Sequence, residues 1–311
     1  MAHALSGAAE AVWEAIAPLV PGFTVEVLAE VDSTNSELMR RARAGQVEPV
    51  LLLAHHQTAG RGRLGRQWVS DVGVPSASSA GERASPSATH TNTNTNTNTN
   101  TNINTNINTN TTDRQSASLT CSLGLPLAPQ DWSGLSLAVG LSVASSLHPA
   151  IRLKWPNDLW LHGRKLGGIL IETANIGTQS GSRYTVVGIG LNLTAPAATG
   201  LSTPPAGLAE VWPGVTAAQA LVRLAAPLVQ NLQVFAQQGF APFQARFNAC
   251  DALAGVNVTL SDGTTGLAQG VDASGALRVQ TDAGLQRISS AEVSVRPVGM
   301  AAASAPNARL D

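Results

Sequence analysis

The chain has 311 residues, a formal net charge of -1, 43% hydrophobic residues and 13% charged residues. That length suggests about two domains, and the near-neutral charge gives no overall drive towards nucleic acid or an anionic membrane. Two widely separated cysteines, Cys121 and Cys250, exclude a disulfide framework and a cysteine metal cluster; with no apolar run near the roughly 18 residues of a membrane span and no secretory pattern in residues 1–7, the sequence reads as cytoplasmic.

Residues 8–20 carry Val12, Ile16 and Leu19 on one stripe and read as a short amphipathic helix, ended by Pro21-Gly22. Phe23, Val25 and Val27 alternate as in a half-buried strand. Asp32-Ser33-Thr34-Asn35 then offers caps for a helix over 36–42, with Leu38 and Met39 inward. Residues 50–54 form a continuous apolar run, as in a buried strand. The loop after it contains Gln57 and runs Gly60-Arg61-Gly62-Arg63-Leu64-Gly65-Arg66-Gln67-Trp68.

From residue 74 to 114 the composition changes to small and polar residues, with a Thr-Asn alternation over 91–111. Such low-complexity sequence has almost nothing to bury and reads as a flexible insertion in a surface loop. Its length is cheap, because doubling a loop costs about 0.6 kcal/mol. An expanded repeat without function is the plain account; a β-prone segment is the sharper one.

Order resumes with a strand over 117–125 and a helix marked by Leu137, Leu141, Ala144 and Leu147. Lys154-Trp155-Pro156-Asn157-Asp158 follows, then strands over 165–172 and 184–193, the second carrying Gly188, Gly190 and Asn192. Thr216 caps a helix with Leu221, Leu224, Leu228, Leu232 and Phe235 on its stripe; Pro227 is expected to kink or break it. Residues 241–249 read as one more short helix. Val256, Val258 and Leu260, then Leu277 and Val279, then Ile288, Val293 and Val295 mark short strands with tight turns, as in a small β-barrel. Mixed strands and helices followed by an all-β module make the chain α+β.

Gly60 to Gly65 fits G-x-G-x-x-G, but no helix follows it, so a dinucleotide fold is not supported. Arg61, Arg63 and Arg66 instead place three guanidinium groups on a glycine-hinged loop, suited to phosphate or carboxylate; a solvated basic turn is the bland alternative. Lys154 can neutralise phosphate and Asp158 can hold Mg²⁺ through oxygen, the alternative being an ordinary turn with Trp155 in the core. Lys165-Leu166-Gly167-Gly168, with Glu172 further on, adds a second lysine beside two glycines.

In this order the segments Asp32-Ser33-Thr34-Asn35, Gly60-Arg61-Gly62-Arg63-x-Gly65-Arg66-x-Trp68, Lys154-Trp155-Pro156-Asn157-Asp158, Lys165-x-Gly167-Gly168-Ile169-x-x-Glu172 and Gly190-x-Asn192 resemble the biotin–protein ligase family. The resemblance spans about residues 31–297 apart from the insertion. It implies a class II synthetase-like catalytic domain, a mixed sheet flanked by helices, over 31–252, with residues 1–30 leading into it. An SH3-like barrel over 253–298 and a flexible tail over 299–311 would follow. It implies that biotin and ATP form biotinyl-5′-AMP and pyrophosphate, after which a lysine of a biotin carboxyl carrier protein attacks the adenylate.

By that resemblance Ser33, Thr34, Asn35 and Gln57 contact the biotin head, and Arg61, Gly62 and Arg63 form the loop that orders over biotin and its adenylate. Lys165 meets the biotin carboxylate and α-phosphate, Lys154 faces phosphate, Asp158 with Asn157 serves Mg²⁺, and Trp68 and Asn192 lie near the adenosine. Only about thirty residues precede Asp32, so no winged helix and no DNA-binding repressor role is expected. Ala291 replaces a glycine expected in the last strand. Dimerisation through the central sheet is common in the family. A lipoate–protein ligase is the nearest rival, and a biotin-sensing regulator without catalytic importance the next.

Overall fold

A computed structural model of the chain describes residues 2–68, 103–105, 116–175, 181–197, 203–289 and 295–297. Most of the 74–114 insertion, Ala291, Val293 and the 299–311 tail lie outside these residues.

Helix α1 (Ala2–Ile16) leads into strand β1 (Thr24–Val31) and helix α2 (Thr34–Arg43). Strands β2 (Val50–Gln57), β3 (Ile103–Thr105) and β4 (Ser118–Leu127) are followed by helix α3 (Leu135–Leu147). Two hairpins come next: β5 (Ile151–Lys154) with β6 (Asp158–Leu161), and β7 (Arg164–Asn175) with β8 (Arg183–Asn192). All eight strands form one sheet in the order β3-β1-β2-β4-β8-β7-β6-β5. β1 runs parallel to β2 and β3, and every other neighbour pair is antiparallel, so the sheet is mixed.

The period-two rule explains how this sheet carries helices on both faces. Leu51 and Leu53 of β2, with Val187, Ile189 and Leu191 of β8, belong to the large core that also holds α1 and α3. Val50 and Leu52, with Tyr184 and Val186, point the other way and pack on Leu38 and Met39 of α2. Ser33 caps α2 by accepting a hydrogen bond from the Ser36 N–H, which fixes the polar turn after β1.

Helix α4 (Ala217–Gln238) lies in the large core and runs through Pro227 without a break, so of the kink or break expected from the sequence the break does not occur. Proline lacks the backbone donor of its position. Leu224, Leu228 and Leu232 stay buried on either side, and the Asn231 amide donates to the Pro227 carbonyl at 2.8 Å. Tertiary packing outweighs the local penalty here.

The short strand β3 also departs from the unstructured insertion that the composition suggests. It pairs with Val25–Val27 of β1. An edge strand presents unpaired backbone groups, and a Thr/Ile/Asn alternation suits them.

After α5 (Gln244–Cys250), strands β9 (Asn257–Leu260), β10 (Thr265–Val271), β11 (Leu277–Thr281), β12 (Gly284–Ile288) and β13 (Val295–Pro297) form a five-stranded antiparallel sheet. Its Val258, Leu260, Ala268, Val271, Leu277 and Val279 join the large core instead of forming a separate one. Trp155, buried in the turn between β5 and β6, donates its indole N–H to the Gly275 carbonyl of this sheet at 3.1 Å. The Ala252 N–H donates to the Leu153 carbonyl at 2.8 Å.

Candidate active site

A cavity of about 270 Å³ opens where β1 and β2 end, against the middle of β7 and β8. Every residue to which the resemblance gives a ligand-binding role lines it: Ser33, Thr34, Asn35 and Gln57; Arg61, Gly62, Arg63 and Trp68; Lys154, Asn157, Asp158, Lys165 and Asn192.

The first group is a buried hydrogen-bonding pocket. Gln57 Oε1 accepts from the Thr34 N–H at 2.8 Å and from the Thr34 hydroxyl at 3.1 Å. Ser122, fully buried on β4, donates to Asn35 Oδ1 at 2.6 Å and lies 2.7 Å from the Thr34 hydroxyl. Asn35 Nδ2 donates to Glu172 Oε2 at 3.0 Å. A Cβ on Gly188 would fall 2.1 Å from Asn35 Oδ1, so glycine is required for the strand to pass beneath the amide. Cys121 is pushed up to about 12 by burial and stays a thiol, not a nucleophile.

The second group is the glycine-arginine loop. The Trp68 N–H donates to the Gly60 carbonyl at 2.8 Å, and the Gly62 N–H to the Arg66 carbonyl at 2.7 Å, closing the segment on itself. Residues Arg63–Gly65 make one 3₁₀ turn, with Leu64 at φ 56° and largely exposed. A leucine held in left-handed backbone is strained, and such strain collects at ligand clamps.

The third group is cationic. Lys165 Nζ lies 2.8 Å from Asp158 Oδ1, and Lys154 Nζ lies 3.9 Å from Asp158 Oδ2. Burial lowers the Lys154 pKa, with Asp158 opposing that shift. Burial likewise lowers that of Arg63, again opposed by Asp158. The Lys165 backbone is braced on both sides: its N–H donates to the Pro204 carbonyl and its carbonyl accepts from the Ala206 N–H, each at 2.8 Å. Asn192 Nδ2 donates to the Ala206 carbonyl at 3.2 Å, and Asn157 Nδ2 to the Ile169 carbonyl at 2.8 Å. Both amides therefore spend donors on holding the backbone around the lysines.

A neutral, buried head pocket thus opens into a cationic region beneath a hinged loop. Residues 130–192 match the family model described as the biotin/lipoate A/B protein ligase family, and residues 255–296 match that of the biotin protein ligase C terminal domain. A biotin–[acetyl-CoA-carboxylase] ligase of Paracoccus denitrificans is 32% identical over 277 residues, covering 86% of this chain and 98% of its own length. The chain belongs to the biotin–protein ligase family. The corresponding ligase of Mycobacterium tuberculosis is 33% identical over 178 residues, which cover 55% of this chain and about half, 49%, of that protein. The solved biotin protein ligase of Aquifex aeolicus in complex with biotin and ATP shares the fold, with a TM-score of 0.61 at 24% identity, over 88% of this chain and 98% of that one.

Three site residues of this family member escaped the sequence reading. Ser122 alternates with Ser118 and Thr120 on one face of β4 and stands behind the cavity lining, where it supports Asn35. Thr120, two positions earlier on that face, lines the cavity itself. Arg296 comes from β13 of the C-terminal sheet and lines the cavity with Val295 and Pro297; nothing in its local sequence links it to the lysines.

The expected magnesium site is a poorer match. Among the described residues, Asp158 is the acidic group in the cavity lining, and no three His, Cys, Asp or Glu side chains converge. Lys165 and Lys154 face its two oxygens. This donor set does not fit a magnesium ion held by the protein.

Proposed function

We propose that the chain activates biotin with ATP to biotinyl-5′-AMP and pyrophosphate, then transfers biotin to a lysine of a carrier protein. The observation that carries this reading is the continuity of one cavity from the Thr34–Asn35–Gln57 pocket to Lys154, Lys165 and Arg63. The named ligase relatives and the two family matches support it.

In the first step a carboxylate oxygen of biotin attacks the α-phosphorus of ATP. A carbon–O–phosphorus link forms, the bond to the β-phosphate breaks, and pyrophosphate leaves. Two anions must approach, so the side chains of Lys165, Lys154, Arg63 and Arg296 serve to cancel their repulsion. Ser33, Thr34, Asn35 and Gln57 hold the biotin head. Thr34 and Gln57 are already bonded to each other, and Asn35 to Ser122 and Glu172, so the pocket is preorganised. Arg61 and Gly62 close over the product and keep water from the mixed anhydride. Trp68 and Asn192 lie towards the adenosine, Asn192 chiefly as a brace for the Lys165 strand.

In the second step the neutral amine of a carrier lysine attacks the carbonyl carbon. An amide bond forms, the bond to the phosphate oxygen breaks, AMP leaves, and the amine proton passes to solvent. The carrier partner is a biotin carboxyl carrier domain of a carboxylase. We read the enzyme as cytoplasmic, where ATP and carriers are at hand; among the described residues no helix is long and apolar enough to cross a membrane. Pairing through the central sheet and a lack of DNA binding complete the proposal, to be checked by light scattering and a mobility-shift assay.

The deciding assay mixes the full chain with biotin, Mg²⁺-ATP and an apo carrier domain, and probes the carrier with streptavidin. ATP-dependent labelling of one lysine is expected. Pyrophosphate release with lipoate or octanoate, and none with biotin, would move the assignment to a lipoate-type ligase; silence with every acid would leave a binding protein.

A further inference from the structure

Glu172 on β7 meets two parts of the site at once. Its Oε1 accepts from Arg61 Nη2 at 3.0 Å, and its Oε2 from Asn35 Nδ2 at 3.0 Å. The glutamate side chain is 20% exposed and the arginine 49%. The glutamate is therefore the fixed partner and the arginine, on its glycine-hinged loop, the movable one. Arg61 also donates to the Ser36 hydroxyl at 3.1 Å, so it lies across the start of α2.

The same carboxylate orients an amide. Asn35 Oδ1 accepts from Ser122, while Asn35 Nδ2 donates to Glu172 and to the Leu170 carbonyl at 3.3 Å. An acceptor-only group at 172 leaves the amide one satisfied orientation. Glu172 itself is outside the cavity lining and acts only through these two neighbours.

We propose that Glu172 is a positioning residue that clasps the ligand loop through Arg61 while fixing the Asn35 amide, so that one carboxylate ties loop docking to the head pocket. This rests on reading the cavity as an adenylate-forming site. The geometry also shows how to separate its two duties. Glutamine at 172 keeps an acceptor for Asn35 but loses the charge that holds Arg61, whereas alanine loses both.

The test compares the full wild-type chain with Glu172→Gln, Glu172→Ala, Arg61→Ala and the Glu172→Gln/Arg61→Ala double variant. Three quantities are read: release of biotinyl-adenylate after a single turnover, KM for biotin, and trypsin nicking after Arg63 and Arg66 with biotin and ATP present. In Glu172→Gln, adenylate release and nicking should rise about two- to five-fold, as for loss of a partly exposed ion pair, with biotin KM little changed. Glu172→Ala should add a rise in biotin KM. The double variant should release adenylate no faster than Arg61→Ala alone, since both changes break one contact. Wild-type nicking and release in Glu172→Gln, or simple additivity in the double variant, would overturn the proposal. A wild-type chain that labels no carrier would instead fail the ligase reading. If Glu172→Ala does not fold, the glutamine and arginine variants still decide the clasp.

Discussion

Trp68 rests against the backbone of Gly190, so closely that a Cβ at that position would come within 2.6 Å of the indole ring. The indole N–H is buried and meets no acceptor among the described residues, an arrangement that costs stability unless something else takes the bond. Gly190→Ala should push the indole off β8 and raise KM for ATP. Overpacking of about 1–3 kcal/mol corresponds to roughly five- to 150-fold. Steady-state kinetics on a variant shown by circular dichroism to be folded would check this, and an unchanged KM would mean that the ring can move freely.

Removing Lys165 should strike the first chemical step. Its ammonium is poised 2.8 Å from Asp158 on a strand braced by Pro204 and Ala206. Lys165→Ala should slow biotin-dependent pyrophosphate exchange by about 10²- to 10³-fold, the scale of losing one preorganised electrostatic group. The melting temperature should hardly move, because the side chain is one-third exposed. Retention of most of the exchange rate would show that another cation bears the charge.

Ser122→Ala should expose the dependence of the head pocket on its hidden support. The change deletes the donor to Asn35 Oδ1 and leaves that oxygen buried. Destabilisation of about 1–3 kcal/mol is expected, together with a higher KM for biotin and an unaltered KM for ATP. Urea denaturation and paired titrations read the two effects separately.

Asp251 makes stability depend on pH. Its Oδ1 accepts from the Leu253 N–H at 2.9 Å, but Oδ2 is buried without a partner among the described residues, and burial raises its pKa to about 6. The folded state therefore holds a proton that the unfolded state releases at lower pH. Stability from this group is fully present below about pH 4, falls as pH rises, and levels off above about pH 6. Asp251→Asn should flatten that slope and add up to about 3 kcal/mol at pH 8. Melting curves at pH 4.5 and pH 8 check the sign: the variant should gain at the higher pH and gain little at the lower.

Deleting residues 74–114 should leave carrier labelling within about two-fold of the full chain, because loop length alone costs little. A folded deletion variant without activity would show that the β3 pairing on β1, or other parts of the insertion, matter to the loop that precedes it.

The legible parts of this protein are those where one short stretch of chain supplies several groups at once. Ser33, Thr34 and Asn35 sit in the first turn of a capped helix, and Lys154 to Asp158 fill one tight turn, so chemistry and local structure share a signature. Ser122 and Arg296 were not legible, because each reaches its place, behind Asn35 and in the cavity lining respectively, through a strand pairing that depends on distant sequence. Pro227 is the opposite case: its local signal for a break is outweighed by buried neighbours on both sides. The β1 edge could not be paired with Ile103–Thr105 from composition either, since a Thr-Asn repeat offers many equivalent registers.

The hydrogen bond from Trp155 to Gly275 removes the modularity that the order of segments suggests. The acceptor stands 120 positions from the donor, and a Cβ on Gly275 would come within 2.8 Å of the Gly134 Cα at the start of α3. A cut before the C-terminal sheet would leave an indole donor stranded in the core, directly between the two residues, Lys154 and Asp158, whose spacing sets the charge of the site. It would also remove Arg296. Pieces of this enzyme exchanged with a relative are therefore expected to work only when the turn around Gly275 travels together with the Lys-Trp-Pro-Asn-Asp segment.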